Sequence, residues 1–209
     1  MSNFYSNNIK QRLSLREPLA QALDVMARLV EQLDFKNRPS DGEAYAAFLE
    51  KQLRKVKEVC PVCKSFERDF PSFAFSIATG IGKTRLMGAC IAYLYLAKGI
   101  KHFFILAPNL TLYEKLMKDF GDPSYEKYVF RGISEFVHNE PYIITGENYD
   151  MARSLFSENQ IQINIFNISK FNTESKEGSK KGTPRMRRLS EYLGQSYFDY
   201  LSSLDDLVI

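Results

Sequence analysis

One short segment, Thr79-Gly80-Ile81-Gly82-Lys83-Thr84, restricts the fold more than any other part of the chain. An apolar stretch at residues 73–77 precedes it and a long apolar helix is predicted at residues 84–98, which gives the strand, loop and helix of a phosphate-binding loop. The glycines permit positive φ, so that backbone N–H groups turn toward phosphate oxygens, and the helix start adds its own N–H groups and dipole. The alternative is a glycine-rich turn with a solvated lysine.

The loop positions have distinct expected roles. Lys83 can reach the β- and γ-phosphates of ATP, and the Thr84 hydroxyl can ligate Mg²⁺, so both are predicted catalytic residues and Thr84 is the predicted metal ligand. The position where many such loops have their first glycine is Ile77. This departure argues against a nucleotide kinase or small GTPase and favours a nucleic-acid motor of helicase superfamily two. The predicted nucleotide-binding residues are Ala78, Thr79, Gly80, Ile81, Gly82, Lys83, Thr84 and Arg85.

The composition allows one domain or slightly more, because 44% of the 209 residues are hydrophobic and can form a sizeable core. The 28 basic and 25 acidic residues give a net charge of +3, which is too balanced to indicate nucleic-acid binding by itself. No apolar stretch reaches the ~18 residues that span a bilayer, and the first residues lack the order of a signal peptide. The sequence therefore predicts a cytoplasmic protein without a membrane segment.

The three cysteines are typical of a protein in a reducing compartment. Cys60-Pro-Val-Cys63 has the spacing of half a zinc knuckle, but no second pair follows. A zinc site would need two further ligands from Cys90, His102 and His138, which lie in other elements. A reduced pair in a surface loop is therefore favoured over a zinc site.

The N-terminal part of the chain is predicted to be helical. A first helix has Pro18 in its first turn and presents one apolar face, and a second runs over residues 43–59 with a basic opposite face. Both helices would pack against the core, and residues 60–72 would connect them to it. We therefore expect an N-terminal helical region at residues 1–62 and a second domain at residues 63–209. The apolar faces are Leu19, Leu23, Met26, Val30 and Leu33 in the first helix, and Tyr45, Phe48, Leu49, Leu53 and Val56 in the second.

Strands and helices alternate along the rest of the chain. Besides the helix at residues 84–98, which Gly99 would end, a helix at residues 110–120 would be capped by Asn109, and another would begin near Arg185. Residues 174–184 have the composition of a polar loop. The alternation predicts an α/β fold with a mostly parallel sheet and helices on both faces. The predicted strands are residues 73–77, 103–107, 142–145 and 161–168, with the start of another at 207–209.

The last residues indicate whether the predicted motor domain contains its acidic motif. In P-loop ATPases an acidic motif follows an apolar strand and helps to hold magnesium. Asp205 and Asp206 instead precede the apolar residues 207–209. We therefore expect an incomplete motor domain that stops before its Asp-Glu carboxylates and is inactive alone.

Several of these segments resemble one family, the restriction (Res) subunits of type III restriction-modification systems, which are DEAD/DEAH-type superfamily-two motors. The similarity covers most of the chain from Phe66 onward, and more weakly residues 12–29. The similar segments are residues 66–89, Phe104-Ile-Leu-Ala-Pro-Asn-Leu-Thr-Leu-Tyr-Glu-Lys-Leu116, Ile163-Asn-Ile-Phe-Asn-Ile-Ser-Lys-Phe171, and the region from Arg187-Arg-Leu-Ser-Glu-Tyr-Leu-Gly194 to Asp205-Asp-Leu-Val208.

The resemblance implies a RecA-like P-loop domain that binds ATP and Mg²⁺ and couples hydrolysis to movement along double-stranded DNA. It also implies a parent restriction endonuclease with a second motor domain, a nuclease domain and a methyltransferase partner subunit. Many relatives carry a glutamine after the proline of the segment Arg16-Glu-Pro, positioned toward adenine. Here that residue is Leu19, which argues against adenine recognition by that route, and Gln21 is a candidate substitute.

Two sets of residues are candidates for contact with DNA. In the family that this chain resembles, the segment that corresponds to residues 104–116 meets the sugar-phosphate backbone of DNA. The resemblance therefore implies that Pro108, Asn109 and Thr111 contact DNA. The alternative is that they form an ordinary helix cap. A basic cluster near the polar loop could also meet phosphates, the alternative being a solvated charged loop. Its members are Lys176, Lys180, Lys181, Arg185, Arg187 and Arg188.

Two other functions stay open at this point. One is a regulatory or chaperone-type ATPase that does not act on DNA, against which Ile77 and residues 104–116 both argue. The other is a non-functional remnant of a truncated gene. Salt-dependent DNA binding by the full-length parent protein would distinguish a motor from a regulatory or chaperone-type ATPase.

Overall fold

The structure, a computed structural model, describes residues 2–35, 37–39, 42–149, 160–168, 185–188, 190, 193 and 195–209. These residues form two compact units, Met1–Tyr93 and Leu94–Ile209, named here the N-terminal unit and the C-terminal unit. The boundary expected between residues 62 and 63 stays a prediction.

Three helices precede the glycine loop in the N-terminal unit: α1 (Ser2–Arg12), α2 (Glu17–Gln32) and α3 (Gly42–Val59). The sequence predicted α2 and α3, and Pro18 lies in the first turn of α2 as expected. It did not predict α1, whose apolar residues show little helical periodicity. Lys10 of α1 donates to both carboxylate oxygens of Asp24 in α2, at 2.9 and 2.7 Å. The buried face of α2 consists of Leu19, Leu23, Met26, Ala27, Leu29 and Val30.

The predicted strand at residues 73–77 is wrong. In the described part of the chain, the four sheet strands all lie between His102 and Val208, and residues 71–78 form no ladder. Within the N-terminal unit the Phe73 ring packs edge to face against Phe66, with 5.8 Å between the ring centroids. Residues 74–76 are exposed and Phe73 and Ile77 are half-buried, so the segment has neither the burial nor the backbone partners of a core strand. The sequence pattern reports only that the run is apolar.

Helix α4 (Lys83–Lys98) follows the loop, and it ends where the sequence predicted. Gly99 has φ of +73° and its N–H donates to the Tyr95 carbonyl at 2.9 Å. This left-handed cap explains why a glycine stands there.

The C-terminal unit contains a parallel sheet of β1 (His102–Ala107), β2 (Tyr142–Ile144), β3 (Gln162–Asn167) and β4 (Leu207–Val208). The strand order is β2-β3-β1-β4 and every pair is parallel, which confirms these four predicted strands and the predicted sheet type. All six residues of β3 are buried, as expected for a strand covered on both faces.

Helices cover both faces of this sheet. Ile143 and Ile144 are consecutive in β2, so their side chains point to opposite faces. Ile143 lies against Gly121 at the end of α5 (Leu110–Gly121), where an added Cβ would be 3.2 Å from Ile143 Cγ1. Ile144 joins a buried cluster with Tyr197 and Leu201 of α7 (Tyr197–Ser202). The predicted α/β architecture with two helical layers is therefore confirmed.

A buried polar network crosses this core. Asn164 of β3 is fully buried; its amide donates to the Phe103 carbonyl at 3.0 Å, and its oxygen accepts from the Tyr197 hydroxyl. Burial raises the pKa of Tyr197, which keeps the hydroxyl protonated as a donor. The Asn164 amide and the Tyr197 hydroxyl are thereby both satisfied, although they are buried.

Two helical segments differ from expectation. The region predicted as helix from about Arg185 begins with a three-residue 3₁₀ helix, Arg185–Arg187. The α-helix of this region, α7, starts later because Ser196 caps it by accepting from the Asp199 N–H. The short α6 (Ser134–His138) was not predicted, and it lacks a capping side chain. The predicted polar loop at residues 174–184 lies outside the described residues. Among the described helices, none is both long and apolar enough to cross a bilayer.

Candidate functional site

The glycine loop has the backbone geometry that an anion-binding loop requires. Gly80 has φ of +78° and Gly82 has φ of +114°, values that side-chain-bearing residues rarely adopt. The Leu86 N–H donates to the Gly82 carbonyl at 3.1 Å, so Gly82 is the N-cap residue that directly precedes α4. The N–H groups of the first helical turn therefore point out of the amino end of α4, next to the loop.

The side chains of the loop differ in how accessible they are. Ala78, Thr79 and Lys83 are exposed, and Thr84 is half-buried in the first turn of α4. The guanidinium of Arg85 donates to the Leu13 carbonyl at 3.0 Å, which ties the start of α4 to the chain between α1 and α2. The predicted nucleotide-binding residues thus form one continuous surface, but the Arg85 side chain is engaged by the protein itself.

The residue that stands in the glutamine position of many relatives has a packing role here. Leu19 is 1% exposed, and its Cδ1 lies 3.3 Å from the position that a Cβ on Gly82 would occupy. A side chain on Gly82 would therefore press on α2. The sequence placed Leu19 on the buried face of α2, but it did not predict that this face meets the loop.

An open cleft of about 330 Å³ lies between α2 and the segment that enters the loop. This volume is at the lower end of the ~300–1,000 Å³ typical of small-molecule sites. Gln21 stands at the cleft, where its amide donates to Glu17 Oε1 at 2.8 Å. The walls are Pro18, Gln21, Ala22 and Val25 from α2, with Phe75, Ser76, Ile77, Ala78 and Ile81 from the loop segment.

A second candidate surface lies at the carboxyl edge of the sheet in the C-terminal unit. Pro108, Asn109 and Thr111 are exposed where β1 passes into α5. The side-chain oxygen of Asn109 accepts from the Leu112 N–H at 2.8 Å, so Asn109 is the predicted cap of α5. The capping role is therefore observed, while contact of these residues with DNA stays a prediction.

The sequence reasoning missed neighbouring polar residues that follow β2. The Tyr113 hydroxyl of α5 donates to Glu147 at 3.0 Å, and the pKa of Tyr113 is raised by burial and then by this carboxylate. Asn148 accepts from the Thr145 N–H at 2.7 Å and donates to the Ile143 carbonyl at 3.1 Å. The signal that could have found this turn is the polar run Thr145-Gly-Glu-Asn148 directly after a strand.

The predicted basic cluster is only partly within the described residues. Lys176, Lys180 and Lys181 lie outside them. Arg187 and Arg188 are exposed, and the Arg187 guanidinium stacks over the Phe198 ring at 4.9 Å from the centroid. At least one of these arginines is thus held by a cation–π contact, which leaves its charge accessible.

The cysteine pair lies in the N-terminal unit at the end of α3. Cys60 and Cys63 have their sulfur atoms 3.4 Å apart and are half-buried. Within the ranges that the structure describes, no group of three or more His, Cys, Asp or Glu side chains is placed to hold a metal ion. Within those ranges, no third His, Cys, Asp or Glu side chain is therefore placed to bind a metal ion together with Cys60 and Cys63.

Comparison with known proteins gives a family match for this fold and loop. The family model described as "Type III restriction enzyme, res subunit" matches residues 34–201, well over half of the chain. The Haemophilus influenzae protein named "Probable type III restriction-modification enzyme HindVIP Res subunit" is 36% identical over 70 residues. That match covers 30% of this chain and 13% of the relative, so it spans a small part of the relative's length. No solved structure matches the chain.

Proposed function

Because the chain belongs to the type III restriction enzyme Res subunit family, a family of helicase-like ATPases, we propose that residues 78–85 bind ATP·Mg. The observation that carries this proposal is the pair of positive φ angles at Gly80 and Gly82 immediately before α4. Together they turn backbone N–H groups toward one anion, and the helix start adds its dipole to the same point.

Each loop residue has a role in this proposal. The backbone from Ala78 to Gly82 would surround the β-phosphate, and the exposed Lys83 ammonium would neutralise charge on the β- and γ-phosphates. The Thr84 hydroxyl would hold Mg²⁺, which would neutralise the negative charge that develops in phosphoryl transfer. Arg85 would contribute its backbone N–H, because its side chain is bonded to Leu13.

We assign the cleft beside α2 to the adenine ring. Its walls are mostly apolar, which suits a stacked base, and Gln21 supplies both a donor and an acceptor. Leu19 is committed to Gly82 and cannot take this role. The proposal places the discrimination between ATP and GTP on Gln21.

The proposed activity of the parent protein is ATP-driven movement on double-stranded DNA within a cytoplasmic restriction system. A methyltransferase subunit would read the DNA sequence, and a nuclease domain would cut. The carboxyl edge of the sheet supports a backbone contact, because Pro108, Asn109 and Thr111 are exposed at the amino end of α5. Helix amino ends and small polar side chains are common partners of phosphate oxygens.

The experiment that tests the nucleotide site is ATP·Mg binding by the chain and its Lys83→Ala variant, measured by calorimetry. Loss of the lysine removes a charge from the phosphates and no core contact, so we expect affinity to fall about 100-fold, with the melting temperature of the free protein unchanged. The matched control is Lys51→Ala, which removes an exposed lysine from α3 in the same unit.

Equal ATP affinity of the wild type and Lys83→Ala would contradict the assignment. A fall in ATP affinity with Lys51→Ala as well would point to general charge attraction instead of a built site. A parent protein that shows no salt-dependent binding to DNA would favour a regulatory ATPase over a motor.

A further inference from the structure

The segment Cys60-Pro-Val-Cys63 is a tight turn that closes α3. The Cys60 N–H makes the last helical hydrogen bond, to the Val56 carbonyl at 2.8 Å, and the Cys63 N–H donates to the Cys60 carbonyl at 3.0 Å. Pro61 stands at the turn position where its fixed φ is favourable. A β-turn holds its first and last Cα atoms within about 7 Å, which is the range that a disulfide spans.

The two side chains already face each other across this turn. The Cys63 thiol donates to Cys60 Sγ at a sulfur–sulfur distance of 3.4 Å. A disulfide has its sulfur atoms at about 2.05 Å, so small side-chain rotations suffice to close the bond. Pro61 and Val62 at the tip are exposed, with Val62 83% exposed, so small thiol reagents have access.

The surroundings determine the reactivity of the pair. The pKa of Cys63 is raised by burial, and then by the hydrogen bond and the charge of Cys60. The turn follows the carboxyl end of α3, where the helix dipole disfavours a thiolate. Redox enzymes place such pairs at a helix amino end, where a stabilised thiolate makes the disulfide easy to reduce. The opposite placement predicts that the pair is oxidised slowly, because little thiolate is present.

We propose that Cys60 and Cys63 are an oxidation site that forms a reversible intrachain disulfide, with Cys60 as the attacking thiol and Cys63 as the resolving thiol. The direction of the hydrogen bond supports these roles, because Cys63 keeps the shared proton as donor while the Cys60 sulfur is the acceptor. A redox-responsive pair is also the usual form of a disulfide in a reducing compartment.

The oxidant in this proposal is a small-molecule disulfide. The Cys60 thiolate attacks it, forming a mixed disulfide and releasing one small thiolate. The Cys63 thiolate then attacks Cys60 Sγ and releases the second small thiol. Two cysteine thiols are thereby oxidised to one disulfide, the oxidant is reduced to two thiols, and the two protons leave with them.

The pair touches a buried cluster that extends toward the proposed nucleotide cleft. Cys60 and Cys63 pack against the cluster formed by Leu29, Val56 and Phe66, which Phe73 and Val25 also contact. Val25 is one of the walls of the cleft. Closing the turn therefore acts on side chains of the N-terminal unit beside that cleft, and the disulfide itself does not depend on whether the cleft binds ATP.

The test is equilibration of the full chain in glutathione buffers from reducing to oxidising, followed by alkylation and mass spectrometry. We expect two of the three thiols to become protected in a monomeric chain, with a mass loss of two hydrogen atoms. In Cys63→Ser, the mixed disulfide with glutathione should accumulate on Cys60, whereas Cys60→Ser should form it at least several-fold more slowly. The control is Cys90→Ser, which should oxidise like the wild type because burial raises the pKa of Cys90 to about 12.

Three results would overturn the proposal. The first is a chain whose thiols all remain alkylatable in the oxidising buffers while circular dichroism shows it folded. The second is a disulfide between two chains, seen as a dimer without reductant. The third is stoichiometric zinc that Cys90→Ser keeps and Cys60→Ser loses, which would make the pair half of a metal site.

Discussion

Gly82 has two separate reasons to be a glycine. Its φ of +114° lies outside the regions open to residues with a Cβ, and a Cβ there would stand 3.3 Å from Leu19 Cδ1. At Gly80 only the positive φ requires a glycine, and this φ is less unfavourable for other residues than that of Gly82. Its φ of +78° is near the left-handed region, and an added Cβ would meet no atom within 4 Å.

The two glycines therefore provide a matched pair of substitutions. We expect Gly80→Ala to lower the free energy of unfolding by about 1 kcal/mol, the cost of a left-handed alanine. Gly82→Ala should lower it by about 2–3 kcal/mol, because its conformation is less favourable and Leu19 must also move. Urea unfolding followed by circular dichroism measures both. Equal losses would mean that neither the less favourable φ of Gly82 nor the contact with Leu19 adds to the cost.

Residue roles that arise from local chemistry could be predicted, and roles that arise from packing could not. The requirement for glycine in the loop and the capping by Asn109 follow from short sequence patterns, and the structure has both geometries. The contact of Leu19 with Gly82 and that of Arg85 with Leu13 join residues far apart in sequence. Such contacts depend on how α1, α2 and the loop segment pack, which a single sequence does not reveal.

At the scale of elements, the short strand β4 is held beside β1 by a side-chain contact. Asp206 directly precedes β4; its carboxylate accepts from the Lys101 N–H at 2.9 Å and contacts His102 Nδ1. Only His102–Leu207 and Phe103–Val208 pair along the ladder. The carboxylate thus fastens the amino ends of both strands, and the expectation that Asp206 is not part of the acidic ATPase motif stays a prediction.

This contact predicts a pH dependence of stability below about pH 4. Burial alone would raise the pKa of Asp206, but the hydrogen bonds from His102 and the Lys101 N–H outweigh burial and lower it. A carboxylate with a lowered folded pKa stabilises the fold above its unfolded pKa of about 3.9, and the stabilisation is lost as pH falls through the folded value. The side chain is 35% exposed, so we expect about 0.5 kcal/mol at pH 7.

Asp206→Asn tests this effect, since the amide oxygen can still accept from the Lys101 N–H. We expect the variant to be less stable than the wild type at pH 7 and the difference to disappear in acid. Urea unfolding at several pH values between 3 and 7 gives the two curves. A constant difference across this range would show that the charge of Asp206 contributes nothing.

The elements that the sequence predicted are those with strong periodicity or a cap. Helices α2 to α5 and all four strands were predicted, with bounds within a few residues of those observed. The weakly periodic α1 and the five-residue α6 were missed. Residues 73–77 were wrongly predicted as a strand because an apolar run carries no information about its backbone partners.

At the scale of the whole molecule, the balanced charge of +3 gives no indication either for or against a DNA partner. A local surface can bind phosphates in a protein with little net charge. Two such surfaces were predicted: the carboxyl edge of the sheet with Pro108, Asn109 and Thr111, and the basic cluster that includes Arg187 and Arg188. The first surface would bind phosphates through neutral groups and the second through charged side chains. The salt dependence of DNA affinity therefore distinguishes the two surfaces.

The last prediction uses this difference on non-specific duplex DNA. Each phosphate that a basic side chain neutralises contributes about 0.9 to the slope of log affinity against log salt. If the basic cluster binds DNA, changing five of its six residues to glutamine should weaken binding equally on all sequences and reduce the slope by about 4.5. Asn109→Ala with Thr111→Ala should weaken binding and leave the slope unchanged. The five residues are Lys180, Lys181, Arg185, Arg187 and Arg188.

Fluorescence anisotropy at several salt concentrations measures both variants against the wild type, preferably in the longest available form of the protein. Lys118→Gln, an exposed lysine of α5, controls for the general effect of removing positive charge from the C-terminal unit. An unchanged slope after all five substitutions would mark the basic cluster as solvated surface and move the contact to the carboxyl edge. If neither variant weakens binding, both surfaces are excluded as the DNA contact, because a phosphate-directed interface cannot lose its donors without losing affinity.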